Sequence, residues 1–357
     1  MNGRTKRRAA SQPPSHSALS LFDAVRVLSL FNVLLSRSLL CVRDHSHHHE
    51  MSDQFTLMYY LKGALGGGIC CSVTHGAMCP VDVVKTRIQL QPEKYNRGMI
   101  PGFRTVIAEE GARALLTGLG ATAAGYFVQG WFKFGGVELF KINMAQSLGE
   151  RRAWENRTAI YLTAAAGAEV IADLFLCPLE AVRIRSVSDP SWPQSLPRGF
   201  AHMLKTEGVL GFYAGLGPIL FKQVPYTMAK FAVQGKAAEV MYRTMGASPS
   251  ECSGTVNMGV SLASGVIAGV AAAVISHPAD TLLSKINRKG AGGDGPLLTR
   301  FANITKEMGF LKLCTTGLGA RCVMIGTLTA GQFGIFDTVM SLLGAKKFHF
   351  TDPDLAK

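Results

Sequence analysis

Charged residues are scarce in this chain: they make up 17% of its 357 residues, against about 25% in ordinary soluble proteins. With a mean hydropathy of +0.20, that scarcity excludes disorder and disfavours a water-soluble globule. The 39 glycines follow no Gly-X-Y period, which excludes collagen. The eight cysteines (Cys41, Cys70, Cys71, Cys79, Cys177, Cys252, Cys314, Cys322) form no CxxC pair, so no zinc or disulfide framework is indicated. Most of them lie in apolar runs and read as small buried hydrophobes in a reducing compartment. A P-loop, a nucleophile elbow and a metal-ligand cluster are all missing beyond the first fifty residues. No enzyme chemistry, resident metal or cofactor is therefore expected.

What is present is apolar and glycine-rich, with 48% hydrophobic residues, a composition that suits packed membrane helices whose small residues let backbones approach. The net charge of +13 is compatible with anionic lipid, nucleic acid or a small anionic solute, and does not choose among them.

Residues 1–50 hold seven Lys/Arg (Arg4, Lys6, Arg7, Arg8, Arg26, Arg37, Arg43) against three acids, none of which precedes Asp23. Such a basic, acid-poor segment reads as a transit-like, disordered extension. Its apolar stretch Leu19 to Leu40 is interrupted by Asp23, Arg26 and Arg37, so it suits an amphipathic helix better than a spanning one. The tract His45, His47, His48 and His49 reads as a solvated linker, with a soft divalent metal as the alternative.

From residue 51 onward the chain repeats itself at a period of about one hundred residues. A proline ends an apolar run, an acid follows two residues later, and usually a base three beyond that. The copies are Pro80-Val81-Asp82 with Lys85, Pro178-Leu179-Glu180 with Arg183, and Pro278-Ala279-Asp280 with Leu283 at the base position. A second element follows each: Glu110-Gly111 leading to Gly118, Glu207-Gly208 leading to Gly215, and a degraded Glu307-Met308-Gly309 leading to Gly317. A third aligns Lys133-Phe134, Lys230-Phe231 and Gln332-Phe333. The boundaries read as repeats at 51–150, 151–250 and 251–345, followed by a tail at 346–357.

Each copy holds two apolar runs, near Leu57 to Cys79, Leu119 to Phe140, Ile160 to Cys177, Leu216 to Tyr242, Met258 to Ser276 and Leu318 to Leu343. Runs of about twenty residues span a bilayer core of roughly 30 Å. Lone charges within them point to a shared polar interior rather than to lipid. The connections inside the repeats carry 16 Lys/Arg against 7 acids, which predicts that they lie on the electrically negative side of the membrane, with both termini on the other.

The threefold P-x-[DE]-x-x-[KR] motif, the E-G element and the paired runs together resemble the mitochondrial carrier family over Leu57 to about Leu343. Four stretches are similar to its phosphate-carrying branch: Gly125-Tyr126 through Lys133-Phe134, Ala168-Glu169 with Ala172-Asp173, Lys222 through Phe231, and Met324 through Ala330. The resemblance implies an all-α membrane protein. Six transmembrane helices in three tandem repeats would form a pseudo-threefold barrel with short matrix helices, opening alternately to either side of the mitochondrial inner membrane. It also implies both termini in the intermembrane space. The expected cargo is inorganic phosphate moved with a proton, or in exchange for hydroxide. Membrane lipids, cardiolipin among them, are expected partners, and nucleic acid is not. The rival readings are another small anion or copper as cargo, the latter prompted by Cys70, Cys71 and the histidine tract, and a non-transporting membrane scaffold.

An acid and a base three residues apart share a helix face. By the resemblance Asp82, Lys85, Glu180, Arg183 and Asp280 form a matrix gate, in which Asp280 is short of a partner because Leu283 replaces its cation. The opposite, cytoplasmic gate keeps Glu138, Lys141 and Asp337, while Gly235, after Gln234, and Ala238 and Met340 fill its remaining positions. Such a gate is expected to open at little cost. The substrate level implied by the family holds Tyr126, Lys222 and Gln223, with Gln129 near it and Lys133 and Lys230 toward the outer gate. Lysine serves an anion as a mobile point charge that releases readily. Five residues before the repeat prolines stand His75, Asp173 and Ala273, and Glu169 lies one turn from Asp173. A histidine and two partly desolvated carboxylates titrate where a proton relay needs them, so His75, Asp173 and Glu169 form the expected proton-coupling set. His277 reads as structural. Arg321 reads equally as a cavity residue or a lipid ligand, and Tyr226 has no settled role.

Overall fold

The computed structural model describes residues 55–90, 94–95, 98–188, 191–193, 195–249, 251–286, 297–315, 317–345 and 347–350. The expected extension 1–50 with its histidine tract and Cys41, and residues 346 and 351–357 of the tail, lie outside the described residues.

Among the described residues six long helices dominate: α1 (Leu57–Leu90), α2 (Leu119–Leu148), α3 (Arg157–Ser188), α4 (Leu216–Met245), α5 (Gly254–Ile286) and α6 (Leu318–Leu342). Each packs on its neighbours in sequence and α6 returns to α1, so the six close into a ring. The odd helices run from the face that holds the ends of the bundle, the terminal face, to the face that holds the connections, the loop face. The even helices run back. Pro80, Pro178 and Pro278 stand inside α1, α3 and α5, each of which continues as helix past its proline.

Polarity is arranged inside out. Large apolar side chains such as Val73, Phe175, Val274, Ile275 and Val323 are exposed on the outside, while Lys133, Glu138, Lys141, Glu169, Asp173 and Lys230 are buried. Water would reverse that order, whereas a bilayer favours it, because charge is hidden from hydrocarbon only inside the ring. The stretches Leu57–Ile88, Arg157–Val187, Gly254–Leu283 and Phe310–Leu342 are long and apolar enough to cross a membrane by composition alone. α2 and α4 fall outside that group, being diluted by Lys133, Glu138 and Lys141 in one and Lys222, Lys230, Lys236 and Glu239 in the other.

Glycine sets the helix spacing where α1 crosses α2. A Cβ on Gly130 would lie 2.1 Å from the Gly67 carbonyl oxygen, and one on Gly67 would lie 2.3 Å from that of Gly130. Backbone meets backbone there, as in small-residue membrane interfaces.

The E-G element closes the loop face. Arg87 grips Glu110 through two hydrogen bonds of 2.9 and 3.0 Å, and Arg185 grips Glu207 through two of 3.0 and 2.8 Å. Each fork ties the end of an odd helix to the short helix beside it, Met99–Glu110 or Leu196–Thr206. The following glycines, Gly111 at φ 84° and Gly208 at φ 70°, turn the chain through the left-handed region that a side chain would strain.

Gly130→Val is expected to push α1 from α2 and to lower the detergent-solubilised melting temperature by more than 5 °C. Gly120→Val, where a Cβ meets nothing within 4 Å, is expected to shift it far less.

Candidate functional site: the axis of the ring

The third repeated element turns out to be the seal of the bundle. Phe134, Phe231 and Phe333 come from equivalent positions on α2, α4 and α6, and their ring centroids lie 5.1, 5.7 and 5.6 Å apart, each pair edge to face. All three are buried, and such edge-on aromatic packing is favourable beyond its area.

A polar layer lies against this seal. Lys133 Nζ is 3.0 Å from Glu169 Oε2, which also accepts the Thr227 hydroxyl at 2.7 Å. The Gln129 amide donates to Glu169 Oε1 and to Asp173 Oδ1, both at 3.1 Å, and so joins the two carboxyl groups. Among the described residues Asp173 Oδ2, which is buried, has no hydrogen-bond partner. Lys230 donates to Gln332 Oε1 at 2.5 Å and lies 4.9 to 5.4 Å from the three phenylalanine ring centres. Its second repeat copy thus holds a cation on an amide oxygen and aromatic faces. Lys133 and Lys230 point inward, and Gln129 spends its amide on two carboxyl groups instead of facing an open cavity.

Toward the loop face the side chains around the axis are less buried. Lys222 keeps 35% of its side-chain surface, and Gln223, Tyr126 and His75 are half-buried. His75 stacks on Tyr126 with ring centroids 3.6 Å apart and planes 3° apart. Among the described residues it bonds no carboxylate. The structure therefore joins Glu169 to Asp173 and leaves His75 apart, on the wetter side.

At the loop-face end, Arg183 donates to Glu180 on its own helix at 2.9 Å and to Asp82 of α1 at 3.2 Å. Lys85 joins no ion pair among the described residues. Asp280 is not short of a partner. Arg321 Nη1 lies 2.5 Å from its Oδ2, Arg321 Nη2 reaches Ser276 Oγ at 3.0 Å, and Lys222 Nζ stands 3.9 Å from Oδ1. The cation missing at Leu283 is supplied from α6, which spacing along α5 alone could not reveal. Arg321 thereby takes the cavity role rather than that of a lipid ligand.

At the terminal-face end, Glu138 pairs with Lys141 at 2.5 Å on the same helix and accepts the Tyr59 hydroxyl at 3.0 Å. Asp337 accepts from Ser261 in place of a base. Tyr226 hydroxyl stands 3.5 Å from that of Thr329, linking α4 to α6.

Residues 57–148, 155–244 and 254–347 each match the family model described as mitochondrial carrier protein. The chain is 50% identical over 297 residues to "Mitochondrial substrate carrier family protein N" of Dictyostelium discoideum, covering 82% of this chain and 98% of that one. It is 47% identical to "Phosphate carrier protein, mitochondrial" of Caenorhabditis elegans, covering 79% and 80%. Against "Solute carrier family 25 member 3" of Homo sapiens it is 40% identical, covering 79% and 75%.

Removing one member of a buried pair strands the other, at about 3–5 kcal/mol. Lys133→Met is expected to destabilise by that order in thermal unfolding, and the double variant Lys133→Met, Glu169→Gln to recover more than half of the loss.

Proposed function

Because the chain belongs to the mitochondrial carrier family, we propose that it imports inorganic phosphate with a proton, equivalently in exchange for hydroxide, across the mitochondrial inner membrane by alternating access. The loop face meets the matrix and the terminal face the intermembrane space, in keeping with the basic connections between odd and even helices. Anionic lipid, cardiolipin among it, is expected beside those connections. The work is transport, with no covalent step.

Lys222 carries this reading. It is a partly solvated ammonium beside Gln223, open toward the gate acids, in a chain similar to a protein named as a phosphate carrier. A phosphate oxygen meets Lys222 as a point charge, and the Gln223 amide offers a donor. Lys222 is also 3.9 Å from Asp280, so phosphate competes with that carboxylate for the ammonium. Occupation leaves Asp280 to Arg321 alone, which couples the cargo to the gate formed by Asp82, Glu180, Arg183 and Asp280. Lys85, on α1, is the cation available to Asp280 when the helices rearrange.

The proton resides on the carboxyl pair. Glu169 and Asp173 share one amide and face one ammonium, Lys133, so the pair holds its charge in balance with one proton on board. The unpartnered Asp173 Oδ2 is the atom that a proton satisfies. His75, stacked at the wetter level, passes protons between that pair and the vestibule.

In proteoliposomes, labelled phosphate uptake is expected to rise when the interior is made alkaline. Lys222→Met is expected to cut uptake and phosphate–phosphate exchange at least tenfold, and His75→Ala to abolish the response to the pH gradient while exchange persists. Full uptake by Lys222→Met would overturn the substrate site. Faster uptake of another anion, or of copper, in the same vesicles would replace phosphate as cargo.

A further inference from the structure

The terminal-face gate is short of cations in sequence. Its base positions on α4 and α6 are Ala238 and Met340, both apolar and buried, and its acid position on α4 is Gly235, which has no side chain and follows the buried Gln234. Lys141, its one base, bonds within its own helix to Glu138 and braces no neighbour through an acid. Residues 347–350, which follow α6, lie in this mouth. Lys347 Nζ donates to Gln234 Oε1 at 2.9 Å and stands 4.8 Å from the centre of the Phe333 ring of the seal. The Phe348 N–H donates to the Tyr59 hydroxyl oxygen at 3.1 Å, and its carbonyl accepts from Lys141 at 3.2 Å. The Phe348 ring packs edge-on to Phe55 at 5.6 Å, that of Phe350 to Tyr161 at 5.4 Å, and His349 to Tyr242 at 5.9 Å.

These four residues therefore touch α1, α2, α3, α4 and α6. We propose that Lys347, Phe348 and Phe350 are gate residues: the segment 347–350 closes the terminal face in place of the ion pairs that α4 and α6 lack, and it leaves the mouth each time that face opens. Lys347 binds Gln234, the residue before the vacant acid position of the second repeat, and so brings a cation to a mouth where the base positions of α4 and α6 hold none. The Phe348 backbone bridges α1 to α2 through Tyr59 and Lys141, and both of those groups lead to Glu138. An ordered cross-brace of this kind has to be withdrawn before the Phe134–Phe231–Phe333 seal can part, because Lys347 lies against that seal.

The proposal rests on the alternating-access reading but not on the identity of the cargo. The test therefore omits substrate. Cys71 is buried at the level of the seal, accepting from Gln332. With the other cysteines replaced by serine, Cys71 is labelled by a charged, membrane-impermeant thiosulfonate in vesicles sorted for the terminal face outward. Phe348→Ala with Phe350→Ala is expected to speed labelling at least threefold, and Lys347→Gln to speed it less than that pair but measurably. Lys347→Gln removes one charge on a half-buried residue, so it keeps the test decisive if the double variant folds poorly. Labelling that is unchanged or slower in Lys347→Gln, with its melting temperature retained, overturns the proposal. Faster Cys71 labelling in the variants, together with no phosphate uptake by the native chain in separate proteoliposomes, would overturn the cargo alone.

Discussion

The fold turns on a charge pair that has nowhere else to go. Lys133 and Glu169 stand 3.0 Å apart, buried, between helices whose outer surfaces carry valine, isoleucine and phenylalanine. Neither charge is tolerable against hydrocarbon, and each is tolerable only because the other, with Gln129 and Thr227, faces it across the axis. Closing the ring is what brings α2, α3 and α4 within reach of that pair. The tight glycine crossing of α1 on α2 and the phenylalanine seal above the pair keep water from it on one side.

From this layer the structure becomes wetter toward the loop face, and the threefold pattern becomes less regular. The even helices contribute Lys133, Lys230 and Gln332 at one level, and only α4 contributes a charge, Lys222, at the level below. The acids Asp82, Glu180 and Asp280 repeat faithfully, but their cations do not. Arg183 serves two acids, and Arg321 replaces the base missing from α5. An exchanger of symmetric design needs no such irregularity. Here the departures from symmetry fall at the buried carboxyl pair, at Lys222 and at Arg321, the residues on which the proposed cycle places its proton, its anion and its gate.

Much of this was legible in the chain. The prolines at Pro80, Pro178 and Pro278 reported the helix count and the ring, because three matched copies of one motif imply three matched helix pairs. Aligning the copies also placed Glu169 and Asp173 one turn apart on the second odd helix, and in the structure the Gln129 amide joins them. What the alignment could not show was contact between helices of different repeats. Arg321 reaching Asp280, Gln129 joining two carboxyl groups and the stacking of His75 on Tyr126 depend on how the ring closes. Arg87 and Arg185 lie seven residues past their prolines, and that shared spacing was a readable signal for the forks on Glu110 and Glu207. The phenylalanines of the third element repeated as clearly as the prolines, yet sequence alone gives an aromatic residue no reason to be a seal rather than a lipid contact.

Coupling in the proposed cycle requires that the Glu169–Asp173 pair carry the proton that travels with the cargo. The direct measurement is the internal pH of phosphate-importing proteoliposomes, followed with a trapped dye, for the native chain and for Asp173→Asn. Native vesicles are expected to acidify as phosphate enters, and Asp173→Asn vesicles to exchange phosphate without that acidification. Equal acidification per phosphate in the two would contradict the assignment.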